Sequence, residues 1–404
     1  MAVGKVDFPK MQVVSGIKLG TCCAGVKQTE RDDVLLVEMA AESSCAAVFT
    51  QNAFCAAPVI IAREHLPQSP RYLLINSGNA NAGTGEQGFT DAQASCLATA
   101  KLMSVQTEQV LPFSTGVIGE KLPVEKIIHS LPQAKSALSE DNWSNASQAI
   151  MTTDTFAKGY SMVTQIDGHA VTITGMSKGA GMIQPNMATM LGFIATDANI
   201  APALLQQCLS VAVEQSFNRI TVDGDTSTND ACVLMASGQS SLPEILIDTD
   251  AFAIFQHAIL DACKQLAELI IRDGEGATKL IKIKVQQAES EAEAVQIAKT
   301  IAHSPLVKTA FFASDPNWGR ILAAVGRAGV EQLDVNKINI YLDDVCIVEK
   351  GGRAVAYTEE AGQAIMNQEE ITVTVVLGRG QLEQQVLTCD FSYDYVRINA
   401  EYRT

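Results

Sequence analysis

Histidine is scarce in this chain, with 5 among 404 residues. None of the five (His65, His129, His169, His257 and His303) lies in a distinctive motif. That argues against a Ser-His-Asp relay and leaves another group to supply any catalytic base. The ten cysteines form no CxxC pair, and no Cys/His cluster has zinc-ligand spacing, so no metal site is indicated. Scattered in this way, they read as small apolar core residues in a reducing compartment. The first ten residues lack the apolar core of a signal segment, and no apolar run is long enough to cross a bilayer. A cytoplasmic location with no membrane partner is expected. Positive charge is also short: 29 Lys and Arg against 45 Asp and Glu give a formal net charge of -16. A nucleic-acid partner would require a basic face, so none is expected, and an anionic substrate would need local cations. Neither a GxxxxGK[ST] loop nor a pyrophosphate loop of the common acyltransferases is present, and no cofactor is called for.

What the chain does have is apolar content, 47%, in a length that can build two domains. The charged fraction of 18% and the lack of low-complexity tracts or internal repeats exclude a disordered or solenoid protein. β-Branched runs predict strands at 34–37, 72–75, 171–174, 281–285 and 371–377. Helical periodicity predicts helices at 90–103, 202–217, 251–271, 290–302 and 354–366, with Asp273-Gly274 as a stop signal. Strands and helices mix without a βαβ beat. The expected fold class is therefore α/β of the α+β kind, not a doubly wound nucleotide fold. A new strand and an acidic helix set a boundary near 280. This gives an N-terminal domain (1–280) and a C-terminal α/β domain (281–404).

The densest motif is Ser177-Lys178-Gly179-Ala180-Gly181-Met182-Ile183-Gln184-Pro185-Asn186-Met187-Ala188-Thr189-Met190-Leu191-Gly192. Glycines, a proline and an asparagine crowd the approach to Thr189, and such residues hold backbone shapes that others resist. A threonine presented there can be a nucleophile if a neighbour takes its proton. Taken alone, the segment also reads as an ordinary Gly/Pro turn.

Further blocks decide between these readings. Ala46–Thr50, Ile75–Ala82, Ser114-Thr115-Gly116-Val117-Ile118-Gly119 and Thr152-Thr153-Asp154-Thr155 stand ahead of the motif. Asp223–Asp230, Gly274–Lys279, Ser314–Arg320 and Asn399-Ala400-Glu401-Tyr402-Arg403-Thr404 follow it. In this order they resemble the glutamate N-acetyltransferase family, also called ornithine acetyltransferase (ArgJ), over nearly the whole chain.

The resemblance implies mixed β-sheets layered with helices, an architecture related to DmpA-type aminopeptidases. It also implies self-cleavage between Ala188 and Thr189, giving an α chain (1–188) and a β chain (189–404). The Thr189 hydroxyl would attack the preceding carbonyl, and water would split the resulting ester. The freed α-amine, with a reference pKa of roughly 7.7–8.0, would then serve as the base. Thr115 and Gly116 are implied as the oxyanion hole. Thr152, Lys178, Thr189, Glu275, Asn399 and Thr404 are implied as substrate-binding residues, with Thr153 an open alternative to Thr152. Glu275 suits a cationic side chain, and Lys178 a carboxylate or carbonyl. Matches at Asn399 and Thr404 imply a tail folded over the site, from this chain or from a neighbouring subunit.

The implied reaction is ping-pong transfer of acetyl from N2-acetyl-L-ornithine to L-glutamate through acetyl-Thr189, a step of arginine biosynthesis. Acetyl-CoA is left open as a second donor. The family precedent is a heterotetramer of two α and two β chains. Gln51–Pro58 departs from the family in having small or thiol residues where relatives carry charge, a change expected to touch packing more than chemistry. Two rivals stand beside this reading. One is a DmpA-type amide hydrolase that passes the acyl group to water; the other is a metabolite-binding protein that has lost cleavage.

Overall fold

The computed structural model describes residues 3–4, 7–27, 30–184 and 190–401. Its strands form three sheets. The first has the order β1 (Ile17–Cys22), β2 (Val34–Met39), β4 (Tyr72–Asn79) and β5 (Val110–Val117). It is antiparallel except where β4 meets β5. The second runs β3 (Ser44–Phe49), β10 (Ala231–Ala236), β8 (Leu191–Thr196), β7 (His169–Lys178) and β6 (Lys158–Ile166). Only its β8–β10 pair is parallel.

These two sheets lie face to face, and the period of two in their side chains shows it. Leu35 and Val37 of β2 enter one core with Ala231, Val233 and Met235 of β10, while Val34 and Leu36 point the other way. The alternate residues of β10, Cys232 and Leu234, turn outward into a further core. Both faces are covered, so these strands read as continuous apolar runs in place of an alternating pattern. Helices α1 (Ala57–His65), α2 (Gly85–Met103) and α3 (Val124–Ser136) cover the first sheet through Ile61, Cys96 and Leu131. Trp143 of α4 (Trp143–Ala149) is buried in the core between the sheets. Helices α5 (Pro202–Glu214) and α6 (Asp250–Arg272) cover the second sheet through Leu209, Phe255 and Leu266. The result is a four-layer helix–sheet–sheet–helix stack.

The third sheet has the order β14 (Gly352–Arg353), β13 (Val345–Glu349), β12 (Asn339–Leu342), β15 (Glu370–Val376), β11 (Leu280–Ala288), β16 (Leu382–Cys389) and β9 (Ile220–Thr221). Its own core draws on α7 (Glu291–Ala302), α8 (Pro305–Phe312), α9 (Trp318–Gly326) and α10 (Glu359–Met366). Strand β9, from the segment before α6, stitches this sheet to the earlier layers. The chain closes with α11 (Tyr393–Ala400).

The mixed α/β class expected from sequence is the one observed, and all five predicted strands are present. Three helix boundaries are corrected, the first being the helix expected from 90, which already starts at Gly85. The helix expected from 354 starts at Glu359, because the Thr358 hydroxyl accepts the Ala361 N–H at 3.2 Å and caps it there. The helix expected to reach Phe217 ends at Glu214, and a separate 3-10 turn spans Phe217–Arg219. Among the described residues no helix is long and apolar enough to cross a membrane.

Candidate active site

The motif that dominates the sequence is the connection of a hairpin. Strand β7 ends at Lys178, which pairs with Leu191 at the start of β8. Ala188 and Thr189, the proposed cleavage pair, and Thr404 lie outside the described residues. The residues flanking them are held. Met182 and Ile183 donate their backbone N–H groups to the Asp223 carboxylate at 2.6 and 2.9 Å. The Thr226 hydroxyl donates to the Gln184 carbonyl at 3.2 Å. On the far side, Ala231 N–H donates to the Met190 carbonyl at 3.0 Å. A single segment, 221–231, therefore fixes both ends of the connection.

A cavity of about 290 Å³ opens here, lined by Thr115, Gly116, Thr152, Thr153, Lys178, Asp230, Glu275 and Asn399, with Met190 on its wall. The six described positions named from sequence as oxyanion-hole or substrate residues all reach it, although they span residues 115 to 399. Thr115 and Gly116 sit at the end of β5, where the β4–β5 register slips at Gly78 and Asn79. Such an irregularity re-aims backbone at a strand end. Gly116 has φ +136°, and a Cβ there would stand 2.3 Å from the Gly78 carbonyl carbon. Only glycine fits. Gly181 serves a second close approach, since a Cβ on it would meet a Glu275 carboxylate oxygen at 2.3 Å.

Lys178 is buried, and its ammonium donates to the Thr152 hydroxyl at 2.8 Å and the Thr115 hydroxyl at 3.1 Å. Burial lowers its pKa, although Asp154 opposes the shift. The two threonines left open by the sequence face different partners: Thr152 meets Lys178, and the Thr153 hydroxyl meets Glu275. Burial raises the Glu275 pKa against the bonds it accepts from Thr153 and Asn399. The Asn399 amide reaches Glu275 at 2.8 Å, so this chain's own α11 brings the tail residue to the site. No neighbouring subunit is needed to place Asn399.

Beneath the cavity lies a row of buried charges that the sequence reading did not single out. Lys158 is bonded to Asp154 and Asp273 at 2.6 Å each, with all three side chains fully buried. Asp154 also accepts the Gly179 N–H at 2.7 Å and the Thr152 N–H at 2.9 Å. Burial alone would raise the Asp154 pKa, but Lys158 and Lys178 outweigh it and hold the group well below the usual carboxylate range. An anchored carboxylate thus fixes Thr152, which meets the Lys178 ammonium, and Gly179, the residue that follows Lys178. Asp154 stood in a quoted motif, whereas Lys158 lay in none; its only sequence signal was its place four residues after an aspartate. Asn229 is a further omission. Its amide donates to the carbonyls of Ala80 at 2.6 Å and Ser114 at 2.9 Å, tying the two facing sheets together at the oxyanion strand.

With cation, anion and paired donors around one cavity, the site has the parts needed to hold an amino-acid derivative beside a polarised carbonyl. Residues 18–404 match the model of the ArgJ family. The chain belongs to the ArgJ family. Among its ArgJ relatives, the arginine biosynthesis bifunctional protein ArgJ of Methylococcus capsulatus (strain ATCC 33009 / NCIMB 11132 / Bath) is 62% identical over 391 residues, covering 97% of this chain and 96% of that protein. The protein of the same name from Pseudomonas fluorescens (strain Pf0-1) is 53% identical over 405 residues, with 100% of both chains covered. The crystal structure of arginine biosynthesis bifunctional protein ArgJ from Bacillus halodurans is 43% identical, with a TM-score of 0.51. That match covers 99% of its chain but 52% of this one, so the solved chain is about half as long.

Proposed function

We propose that this ArgJ chain transfers acetyl from N2-acetylornithine to glutamate through an acetyl ester on Thr189, after cutting itself between Ala188 and Thr189. The observation that carries the reading is the single cavity, at the ends of the β7–β8 hairpin connection, into which Thr115, Gly116, Thr152, Lys178, Glu275 and Asn399 converge. Thr115 and Gly116 stabilise the oxyanion as the acetyl carbonyl becomes tetrahedral. Lys178 offers a cation for a carboxylate or carbonyl, and Glu275 an anion for the ornithine ammonium. The Thr189 α-amine, freed by the cut, takes the hydroxyl proton and returns it to departing ornithine. Glutamate's amine then collects the acetyl group.

The relatives' name supports the assignment to arginine biosynthesis, and its word "bifunctional" supports acetyl-CoA as a second donor. No cofactor takes part in this scheme. The half-length chain of the Bacillus halodurans structure suits two fragments, and a tetramer of two α and two β chains follows the family precedent. A cytoplasmic location accords with ten cysteines that are all free thiols.

Intact-mass measurement and N-terminal sequencing of purified protein, beside Thr189→Ala, test the reading. The wild type should show a second fragment beginning at Thr189, and the variant a single whole chain. Two-substrate initial rates should give parallel lines. Intersecting lines, or an uncut yet fully active wild type, would overturn the mechanism.

A further inference from the structure

The acetyl donor and the acetyl acceptor of the scheme above carry side chains of opposite charge, an ammonium and a carboxylate. Glu275, bonded by Asn399 at 2.8 Å, suits the first and repels the second. Lys178 serves a group that both substrates carry, so it cannot tell them apart. A carboxylate side chain therefore needs another place, with local cations that offset a net charge of -16.

A second cavity, of about 170 Å³, supplies such a place. Gly116, Val117, Thr152 and Thr153 line both cavities and form the wall between them. Helix α11 spans the pair, with Asn399 lining the first and Ile398 the second. The cations of the second cavity are Lys27 and Arg31, whereas Glu275 lines the first. Neither cation stands in a motif block of the sequence. Both are set in place by their surroundings. Asp33, a carboxyl in the same wall, accepts the Ala24 and Val26 N–H groups at 2.7 and 2.6 Å, which fixes the turn leading into Lys27. Gly78 admits that turn: at φ +96°, a Cβ on it would stand 3.0 Å from the Lys27 Cβ. Arg31 is half-buried, and its Nη2 donates to the carbonyl of Met151, the residue before Thr152. A guanidinium has five N–H donors in a planar fork, so one such bond leaves donors for a carboxylate.

We propose that Arg31, together with Lys27, holds the side-chain carboxylate of the acetyl acceptor in this second cavity, apart from the donor's ammonium at Glu275. This rests on the reading that the chain moves acetyl from N2-acetylornithine to glutamate. Both substrates bring the reacting nitrogen to the first cavity. The charge of the side chain then decides on which side of the shared wall it lies. Arg31 is thus a specificity residue for the second half-reaction and has no part in the first.

The test is steady-state acetyl transfer by purified wild type, Arg31→Gln, Arg31→Lys and Lys27→Gln, with a thermal melt of each. N2-acetylornithine is the donor, and glutamate or the neutral glutamine is the acceptor. In a ping-pong scheme kcat/KM for each substrate reports its own half-reaction. Arg31→Gln should lower kcat/KM for glutamate about 10–100-fold, the worth of a hydrogen bond to a charged group. It should leave kcat/KM for N2-acetylornithine within about twofold of wild type. The preference for glutamate over glutamine should shrink by a similar factor, and Arg31→Lys should restore part of it. Lys27→Gln, on an exposed turn, should act in the same direction, and it carries the test if Arg31→Gln does not melt as a native protein. Equal losses for donor and acceptor, or an unchanged preference for glutamate, overturn the proposal while acetyl transfer stands. A variant that weakens acetyl-CoA as donor and spares glutamate also overturns it, because the cavity then takes phosphates. A wild type that moves no acetyl from N2-acetylornithine to glutamate overturns the underlying reading as well.

Discussion

In the proposed reaction Thr115 and Gly116 divide one task between a side chain and a backbone. The hydroxyl of Thr115 lies 3.1 Å from the Lys178 ammonium, and Gly116 beside it takes φ +136°. Thr115→Val keeps the shape of the side chain and deletes its oxygen. The expected outcome is a drop in kcat of roughly 10²–10³ with KM little changed, measured by steady-state acetyl transfer on the cut enzyme. A native melting curve should accompany it, because Lys178 retains the Thr152 hydroxyl. At this scale the motif residues were legible, since the Gly-rich loop before Thr189 stood with further blocks in the order of one family. The partners were not. Nothing in the spacing of Lys158, Asp154 and Asp273 announces that they meet 2.6 Å apart.

Elements bring the distant residues to the cavity. Helix α11 is short and has no fully buried residue, yet polar contacts dock it, among them the Tyr395 hydroxyl donating to the Asp223 carboxylate at 3.4 Å. The Ser392 hydroxyl donates to the Gly276 carbonyl at 2.6 Å, and Asn399 reaches Glu275 from the last turn of the helix. Chain ends fray unless tied down, and these contacts are the ties. Asn399→Ala should leave Glu275 free to turn away from an ammonium substrate. The predicted result is a KM for N-acetylornithine raised about tenfold, or about 1.4 kcal/mol, with kcat nearly unchanged. The stretch Gln51–Pro58 is placed at the same scale. Asn52 donates to the Thr226 carbonyl at 2.9 Å, and Ala56 N–H donates to the Thr228 carbonyl at 2.9 Å. That stretch therefore braces the 221–231 segment from behind and does not line the cavity.

The whole molecule adds a pH dependence of its own. His303, which caps the C-terminal end of α7, has a buried Nε2 without a hydrogen-bond partner among the described residues. Burial, reinforced by Lys299, Lys308 and Arg327, pushes its pKa down to about 4 from an ordinary 6.5. The folded value is the lower one, so between these pH values the unfolded chain binds the proton that the native chain refuses. Stability should be complete above pH about 6.5 and fall as pH drops toward about 4. Urea titrations across that range should show the loss, and His303→Leu should flatten this part of the profile. An unchanged slope in the variant would assign the effect to other groups.

The sequence by itself located five of the sixteen strands and five of the eleven α-helices among the described residues, and it named six described residues that one cavity gathers. Apolar periodicity and turn chemistry act locally, and the motif blocks carry their residue types with them. Tertiary structure alone decided which of those residues meet. The parallel register of β8 with β10 puts Asp230 beside Met190, and the stacking of two sheets brings residues 115 and 178 together. Burial then sets the charge states, because desolvation depends on neighbours drawn from every layer and on no pattern within a single segment.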